Sequence, residues 1–265
     1  YKINTQRMFP LFRAHGKNLN SISKGFSIAL EQKMKSEHLK TELITNVSHD
    51  IKTPLTSIIN YVDLLKKENL DGQAAGYIEV LDRQSRRLKK LTEDLVEASK
   101  ASTGNLKVQL APTDMGELAA QAVAEYEEKL ENAHLEAVIN GGDTPPFAMD
   151  GNLTWRVLSN LLSNACKYSQ PYTRVYIDIK KEKDTVILSM KNISRDALNI
   201  PAEELMERFV RGDSSRHTEG SGLGLNIAQS LVGLQKGTFS LEIEGDLFKA
   251  FVAFPATEPP APPAE

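Results

Sequence analysis

Apolar residues recur every three or four positions along most of the first third of the chain, the spacing of one face of an α-helix. The stripe contains Ile22, Phe26, Leu30, Met34, Leu39, Leu43, Val47, Ile51, Leu55, Ile58, Val62 and Leu65. A stripe of this length predicts a coiled coil or a helical bundle. Pro54 predicts a kink, because proline cannot donate the helical backbone hydrogen bond.

A second helical stripe follows a turn predicted at residues 69–72 and ends near residues 102–105. Its core positions are Tyr77, Ile78, Leu81, Ser85, Leu88, Leu91, Leu95 and Ala98. Basic residues fall on the outer face, namely Arg83, Arg86, Arg87, Lys89 and Lys90. Two such helices form a hairpin, which cannot enclose a core on both faces. We therefore expect a second copy of the chain to complete a dimeric four-helix bundle.

The periodicity changes after residue 105. Alternating apolar and polar residues predict strands at 106–110, 135–139, 147–149, 174–180, 185–191, 238–243 and 249–254. Helices are predicted at 113–131, with Thr113 as the N-cap, at 151–168 and at 223–234. This order predicts a two-layer α+β domain with a mixed, mostly antiparallel sheet. The predicted divisions are a helical linker at 1–35, the hairpin at 36–104, the α+β domain at 105–255 and a disordered tail at 256–265.

Net charge, the length of apolar runs and the number of cysteines exclude several classes of protein. The chain of 265 residues has a net charge of −3, which argues against a protein built mainly to bind nucleic acid. It contains no run of about 18 apolar residues that could span a membrane, and no signal-peptide pattern. Cys166 is the only cysteine, so an internal disulfide and a cysteine-based zinc site are excluded and a reducing compartment is favoured.

His49 differs in context from the other four histidines, because Asp50 follows it directly on the first helix. A carboxylate that accepts a proton from one imidazole nitrogen makes the other nitrogen a better nucleophile. The alternative is an ordinary surface histidine beside an acidic residue. From local sequence alone, both interpretations stay open.

Asn160 and Asn164 are four residues apart and therefore project from one face of a predicted helix, with Lys167 one turn further on. Amide oxygens suit Mg²⁺, and an ammonium group suits phosphate. The alternative is a polar helix face without a ligand.

Glycines alternate at Gly220, Gly222 and Gly224 just before another predicted helix. This arrangement lets backbone N–H groups approach a phosphate, although a flexible hinge has the same composition. Neither a Rossmann unit nor a Walker lysine accompanies it.

Taken together and in this order, the motifs resemble those of sensor histidine kinases of two-component systems. Residues 48–55 are similar to the phospho-acceptor H box of that family, 160–168 to its N box, 207–211 to its F box and 220–224 to a glycine box. The resemblance covers about residues 35 to 255.

The resemblance implies that His49 attacks the γ-phosphate of ATP while Asp50 orients and deprotonates it. Thr53 matches the position of a polar residue that directs water onto the aspartyl phosphate of a response regulator, so phosphatase activity is implied as well. The implied partners are a second copy of the chain and a cognate response regulator, with no nucleic acid. A membrane is implied only through an upstream segment absent from this chain, which we expect to be the cytoplasmic portion of a longer bacterial receptor.

For the nucleotide, the resemblance implies that Asn164 holds Mg²⁺ with help from Asn160, that Lys167 contacts phosphate and that Tyr168 contacts the nucleotide. Related ATPases carry a glutamate at the position of Asn160, and an amide cannot act as a general base. The phosphate loop comprises Gly220, Gly222, Leu223 and Gly224. Arg208 and Arg211 would be lid cations that bind a phosphate or dock the domain on the histidine helix.

One family motif is missing, the Asp-x-Gly-x-Gly whose aspartate accepts a hydrogen bond from adenine. Asn192 at the end of a predicted strand is our choice for that role, and Asp196 is the second candidate. The leading hypothesis is an ATP-dependent protein-histidine kinase. The alternatives are a dimeric scaffold that has lost nucleotide binding and a hydrolytic ATPase, which Asn160 disfavours.

Overall fold

The computed structural model describes residues 51–52, 54–68, 72–102, 106–142, 144–198, 200–206 and 222–257, together with single helical positions at Leu19, Ile22 and Phe26. Helix α1 covers residues 54–65 and helix α2 covers Gln73–Ser102. Among the described residues, no helix is both long enough and apolar enough to cross a membrane.

The two helices form the predicted hairpin. Leu55, Ile59 and Val62 of α1 are buried, as is Ile78 of α2. Ile58 of the predicted stripe is 48% exposed in the single chain, whereas the adjacent Ile59 is buried. Many apolar residues of the hairpin remain exposed in the single chain: Ile58, Tyr61, Leu64, Leu65, Tyr77, Val80, Leu81 and Leu88.

An ionic cluster joins the two helices near the turn. Asp82 accepts hydrogen bonds from Lys66 Nζ at 2.5 Å and from Arg86 Nε at 2.6 Å. Arg86 also donates through Nη2 to Asp63 of α1 at 2.8 Å. The hydrogen bond from Lys66 is the main cause that holds the pKa of Asp82 below its ordinary value.

Two sheets make up the α+β domain. The strands are β1 (Ala111–Thr113), β2 (Leu135–Gly141), β3 (Phe147–Met149), β4 (Thr173–Glu182), β5 (Thr185–Ile193), β6 (Thr238–Glu244) and β7 (Leu247–Pro255). The five-stranded sheet has the order β2-β4-β5-β7-β6, with β2 and β4 parallel and the other neighbours antiparallel, and β1 pairs with β3 in a separate small sheet. The predicted mixed, mostly antiparallel sheet is confirmed.

Helices cover one face of this sheet. They are α3 (Met115–Glu125), α4 (Glu127–Asn132), α5 (Gly151–Tyr168), α6 (Ala202–Leu205) and α7 (Gly224–Leu234). Leu161 of α5 and Leu231 of α7 join Ile177 and Leu188 of the sheet in one core. Ala98 of α2 belongs to the same core, so the hairpin packs against the α+β domain.

Several predicted boundaries were wrong. Residues 106–110 do not form a strand; the chain there is tied by Gln109 N, which donates to Asp150 Oδ2 at 2.7 Å. The N-cap of α3 is Asp114, one residue after Thr113, because its carboxylate accepts from the backbone of Gly116 and Glu117. The predicted helix at 113–131 is broken at Tyr126.

Two further differences concern segments that lack a strong periodic pattern. The short helix α6 lies in a stretch for which no helix or strand was predicted. The ordered chain also continues past the predicted boundary at residue 255. Ala256 N donates to Asp184 O at 2.7 Å, and Thr257 O accepts from Ala148 N at 3.0 Å. Residues 258–265 lie outside the described residues.

Candidate functional site

A cavity of about 580 Å³ lies between α2, α5, the start of α7 and the end of β5. Its volume is typical of sites that bind small molecules. Seven of the residues predicted to bind nucleotide line it: Asn160, Asn164, Lys167, Tyr168, Asn192, Gly222 and Gly224. Leu223 does not line the cavity; it is buried beneath it between the two glycines. The structure therefore brings together motifs that are up to 64 residues apart in sequence.

Helix α5 carries the predicted amide pair and is fixed at its first turn. The Asp150 carboxylate caps the helix by accepting from Leu153 N at 3.0 Å. The backbone N–H of Asp150 donates to Gln235 Oε1 at 2.8 Å, which joins this turn to the end of α7. The buried face carries Val157, Leu158, Leu161, Leu162 and Ala165. The half-buried Asn160 and Asn164 consequently point to the cavity.

The start of α7 lies directly against this amide pair. A Cβ atom placed on Gly224 would stand 3.8 Å from Asn160 Oδ1 and 3.8 Å from Asn164 Oδ1. Gly222 has a φ of +67°, a left-handed conformation that favours glycine. Two amide oxygens beside a helix N-terminus provide both ligands for a hard cation and N–H donors for phosphate.

The residues around the amide pair fit a magnesium site of the kind that depends on substrate phosphates. Among the described residues, no cluster of three or more His, Cys, Asp or Glu side chains could hold a metal ion by itself. Magnesium commonly takes only one or two ligands from the protein and completes its shell with water and phosphate oxygens. The amide oxygen of Asn164 is a suitable ligand of this type.

A second group of polar side chains lies where β5 ends. Asn192 is only 7% exposed yet lines the cavity, and no hydrogen bond to its side-chain amide is found among the described residues. The neighbouring Ser194 Oγ donates to Asp196 O at 2.7 Å. Asp196 also lines the cavity, but its side chain is exposed to solvent. Of these two candidates for binding the nucleobase, Asn192 is the one whose side-chain amide a bound ligand would shield from water.

Some lining residues were not predicted. Lys129 Nζ lies 4.2 Å from the centre of the Tyr126 ring, and the Tyr126 hydroxyl is 2.7 Å from Ser159 Oγ. Apolar surface comes from Leu198, Leu205, Leu225 and Phe248. Tyr126 lies at the break between α3 and α4, which no motif in the sequence marks.

The basic face of α2 is also part of the cavity. Arg83, Arg86, Arg87 and Lys90 line it, with Leu91 and Asp94. The sequence placed these cations on the outer face of the hairpin. In the structure Arg83, Arg86 and Lys90 are exposed and Arg87 is half-buried, and all four also line the cavity that α2 shares with the α+β domain.

Ion pairing ties the two parts of the chain together beside the cavity. Arg156 of α5 donates through Nε to Glu97 of α2 at 2.9 Å, and its Nη2 binds the other oxygen of the same carboxylate. This hydrogen-bonded pair raises the pKa of Arg156. On the same helix, burial raises the pKa of the Cys166 thiol, so the neutral form is favoured.

Six predicted site residues lie outside the described residues: His49, Asp50, Thr53, Arg208, Arg211 and Gly220. Their roles stay predictions.

Two family models match the chain. Residues 39–104 match the His Kinase A (phospho-acceptor) domain, and residues 149–257 match the histidine kinase-, DNA gyrase B-, and HSP90-like ATPase. The sensor protein VanSC of Enterococcus gallinarum is 32% identical over 214 residues, which are 78% of this chain and 58% of VanSC. The histidine protein kinase SaeS of Staphylococcus aureus is 29% identical over 238 residues, 87% of this chain and 67% of SaeS. The chain therefore spans about three fifths to two thirds of the length of these relatives.

Solved structures share the fold. Full-length ShkA in complex with AMPPNP superimposes with a TM-score of 0.71 at 21% identity, over 82% of this chain and 46% of ShkA. ThkA in complex with the response regulator protein TrrA gives a TM-score of 0.60 at 20% identity, over 88% of this chain and 66% of the matched chain. The Acinetobacter baumannii histidine kinase AdeS gives a TM-score of 0.59 at 20% identity, over 78% of this chain and 98% of the AdeS chain.

Proposed function

Because the chain belongs to the sensor histidine kinase family, we propose that it transfers the γ-phosphoryl group of ATP to His49 and then to an aspartate of a response regulator. The observation that carries this proposal is the cavity that joins Asn160, Asn164 and Gly224 to the polar end of β5. A phospho-acceptor domain on the same chain supplies the group to be phosphorylated.

In the proposed transfer, a bond forms between an imidazole nitrogen of His49 and the γ-phosphorus. The bond from that phosphorus to the β–γ bridging oxygen breaks, ADP leaves, and Asp50 takes the imidazole proton. These two roles rest on the sequence motif at residues 48–55.

On the nucleotide side, Asn164 is proposed to hold Mg²⁺ with Asn160 beside it. When bound, Mg²⁺ offsets negative charge on the phosphates. Lys167 adds a positive charge at the same helix face, and the N–H groups that begin α7 donate to phosphate oxygens. The amide of Asn160 cannot deprotonate water, which favours phosphorylation of histidine over hydrolysis of ATP.

Asn192 is proposed to bind the nucleobase, since its amide is buried at the end of β5 and still faces the cavity. Tyr168 at the end of α5 lines the same region and is proposed to contact the nucleotide. For the lid, Arg208 and Arg211 are proposed as cations that bind phosphate or dock the domain.

A second copy of the chain is the proposed partner of the hairpin. An apolar surface remains exposed on the two adjacent helices, and its burial favours association. It contains Ile58, Tyr61, Leu65, Tyr77 and Leu81.

A response regulator is proposed as the second partner. The fold shared with ThkA supports this, because the ThkA structure includes a response regulator. Thr53 is proposed to position water for dephosphorylation of that regulator. The protein is also proposed to be attached to a membrane through a segment upstream of this chain.

Incubation with γ-labelled ATP and magnesium tests the main activity. We expect acid-labile, base-stable label on the protein, lost in His49→Ala and retained in the matched control His38→Ala. Release of free phosphate without labelled protein would instead support a hydrolytic ATPase. Absence of any turnover would support the scaffold that binds no nucleotide.

A further inference from the structure

One wall of the cavity belongs to the hairpin and not to the ATP-binding domain. Arg83, Arg87 and Lys90 are spaced by four and three residues on α2, so they share one helix face. All three line the cavity together with Asn160 and Asn164 of α5. Basic residues of the hairpin therefore line the same cavity as the asparagines of the ATP-binding domain that are proposed to lie beside Mg²⁺ and the phosphates.

The basic residues of this face differ in how they are paired. Lys90 Nζ lies 3.2 Å from Asp94 Oδ1, and Arg86 binds both Asp82 and Asp63. In the part of the chain that the structure describes, neither Arg83 nor Arg87 has a carboxylate within 4 Å. Arg87 is half-buried. A guanidinium group without a carboxylate partner keeps its N–H donors available to an anionic ligand.

The charge of the whole cavity points to the same kind of ligand. Its described basic residues are Arg83, Arg86, Arg87, Lys90, Lys129 and Lys167, whereas its described carboxylates are Asp94 and Asp196. Asp94 is engaged by Lys90, and Asp196 lies 3.7 Å from Arg195. The excess of positive charge attracts a polyanion, and the planar guanidinium group matches phosphate oxygens in pairs.

We infer that Arg83 and Arg87 bind phosphate oxygens of the nucleoside triphosphate, so that the hairpin and the ATP-binding domain hold the nucleotide jointly. This inference rests on the proposed function, because it takes ATP as the ligand. Because these contacts come from both domains, bound nucleotide favours the packed arrangement, in which Ala98 of α2 joins the core and Glu97 pairs with Arg156.

Isothermal titration of the full chain with ATP and with adenosine tests the inference. The variants are R83Q, R87Q and the double variant R83Q/R87Q. The matched control is K89Q, which removes one positive charge from the same helix at an exposed position that does not line the cavity. We expect the double variant to bind ATP about tenfold more weakly, R83Q alone about threefold more weakly, and K89Q within about twofold of the wild type. Adenosine affinity should stay unchanged in every variant.

Three outcomes would overturn the inference. Equal ATP affinity in the wild type, K89Q and the double variant excludes a role for the two arginines and leaves the proposed kinase function intact. Equal loss of ATP and adenosine affinity in the double variant means that the arginines do not act on the phosphates. Absence of ATP binding by the wild type removes the proposed function as well. Because Arg83 is exposed, R83Q keeps the test decisive even if R87Q does not fold, which circular dichroism would reveal.

Discussion

Asn192, the residue proposed to bind the nucleobase, carries an amide where the family motif has a carboxylate. An aspartate can only accept hydrogen bonds there, whereas the Asn192 amide can both donate and accept. Asn192 is buried, so any hydrogen bond it makes with a nucleobase is shielded from water. Asp196, four residues on, is exposed, and water can replace its contacts at little cost.

Removal of the Asn192 side chain should therefore weaken nucleotide binding much more than removal of Asp196. We expect Asn192→Ala to raise the Kd for ATP about tenfold, the effect of one lost buried hydrogen bond. Asp196→Ala should change it less than about twofold. Titration with ATP at fixed magnesium measures both, and the reverse order of effects would move the base-binding role to Asp196.

At the scale of elements, a polar cluster joins three neighbouring strands. Asp178 of β4 accepts from Asn140 Nδ2 of β2 at 2.8 Å and from Lys191 Nζ of β5 at 2.5 Å. The parallel pair β2–β4 and the antiparallel pair β4–β5 thus share one carboxylate. Principally through the hydrogen bond from Lys191, these contacts hold the pKa of Asp178 below its ordinary value.

This lowered pKa makes the contribution of Asp178 to stability depend on pH. The unfolded chain binds the proton more tightly, so the contribution is fully present above about pH 4 and is lost as pH falls through the folded pKa. Asp178→Asn should lower the free energy of unfolding by up to about 1 kcal/mol at pH 7, because solvent screens the pair. The difference from wild type should shrink towards pH 3.

Urea unfolding at the two pH values measures this difference. Asp184→Asn serves as the control, since Asp184 is an exposed residue in the turn that joins β4 to β5. A difference between wild type and Asp178→Asn that is constant from pH 7 to pH 3 would contradict the prediction.

At the scale of the whole molecule, an ion pair and an apolar contact join the hairpin to the ATP-binding domain. Glu97 and Arg156 form a two-point interaction, and Ala98 and Ala101 of α2 enter the core of the other domain. Leu95 of α2 also packs against that core, whereas the two alanine side chains bury little surface. The ion pair adds to this apolar contact, so the balance between packed and separated domains depends on both.

Loss of either charge should shift this balance towards separated domains. We expect Glu97→Gln and Arg156→Gln each to lower the ratio of packed to separated molecules about fivefold, equivalent to about 1 kcal/mol for a partly exposed pair. The double variant should be no worse than either single variant, because both remove the same interaction. Single-molecule energy transfer between dyes on α1 and β6 measures the ratio. Additive effects in the double variant would show that the two residues act separately.

The sequence alone determined the elements that have a strong period. Helix α5 and strand β3 have the predicted bounds, because an amphipathic helix and a short alternating strand each repeat their pattern regardless of neighbours. It also placed Asn160 and Asn164 on one face, since a spacing of four residues fixes that in any α-helix. The fold class and the sensor histidine kinase family were likewise predicted correctly from motifs in order. The phospho-acceptor role of His49 stays a prediction.

Only the tertiary structure decided which of several equivalent positions is used. Ile58 belongs to the predicted apolar stripe, yet within the single chain Ile59 is buried and Ile58 is exposed. Asn192 lines the same cavity as the amide pair, a grouping of elements that no local pattern contains. Arg83 and Arg87 look like solvent-facing cations in the sequence; Arg83 is indeed exposed, yet both residues line the cavity that α2 shares with the ATP-binding domain. The hydrophobic period depends on one helix or strand alone, so it shows which residues share a face. Which residues that face contacts depends on how the elements pack together, and only the tertiary structure shows this.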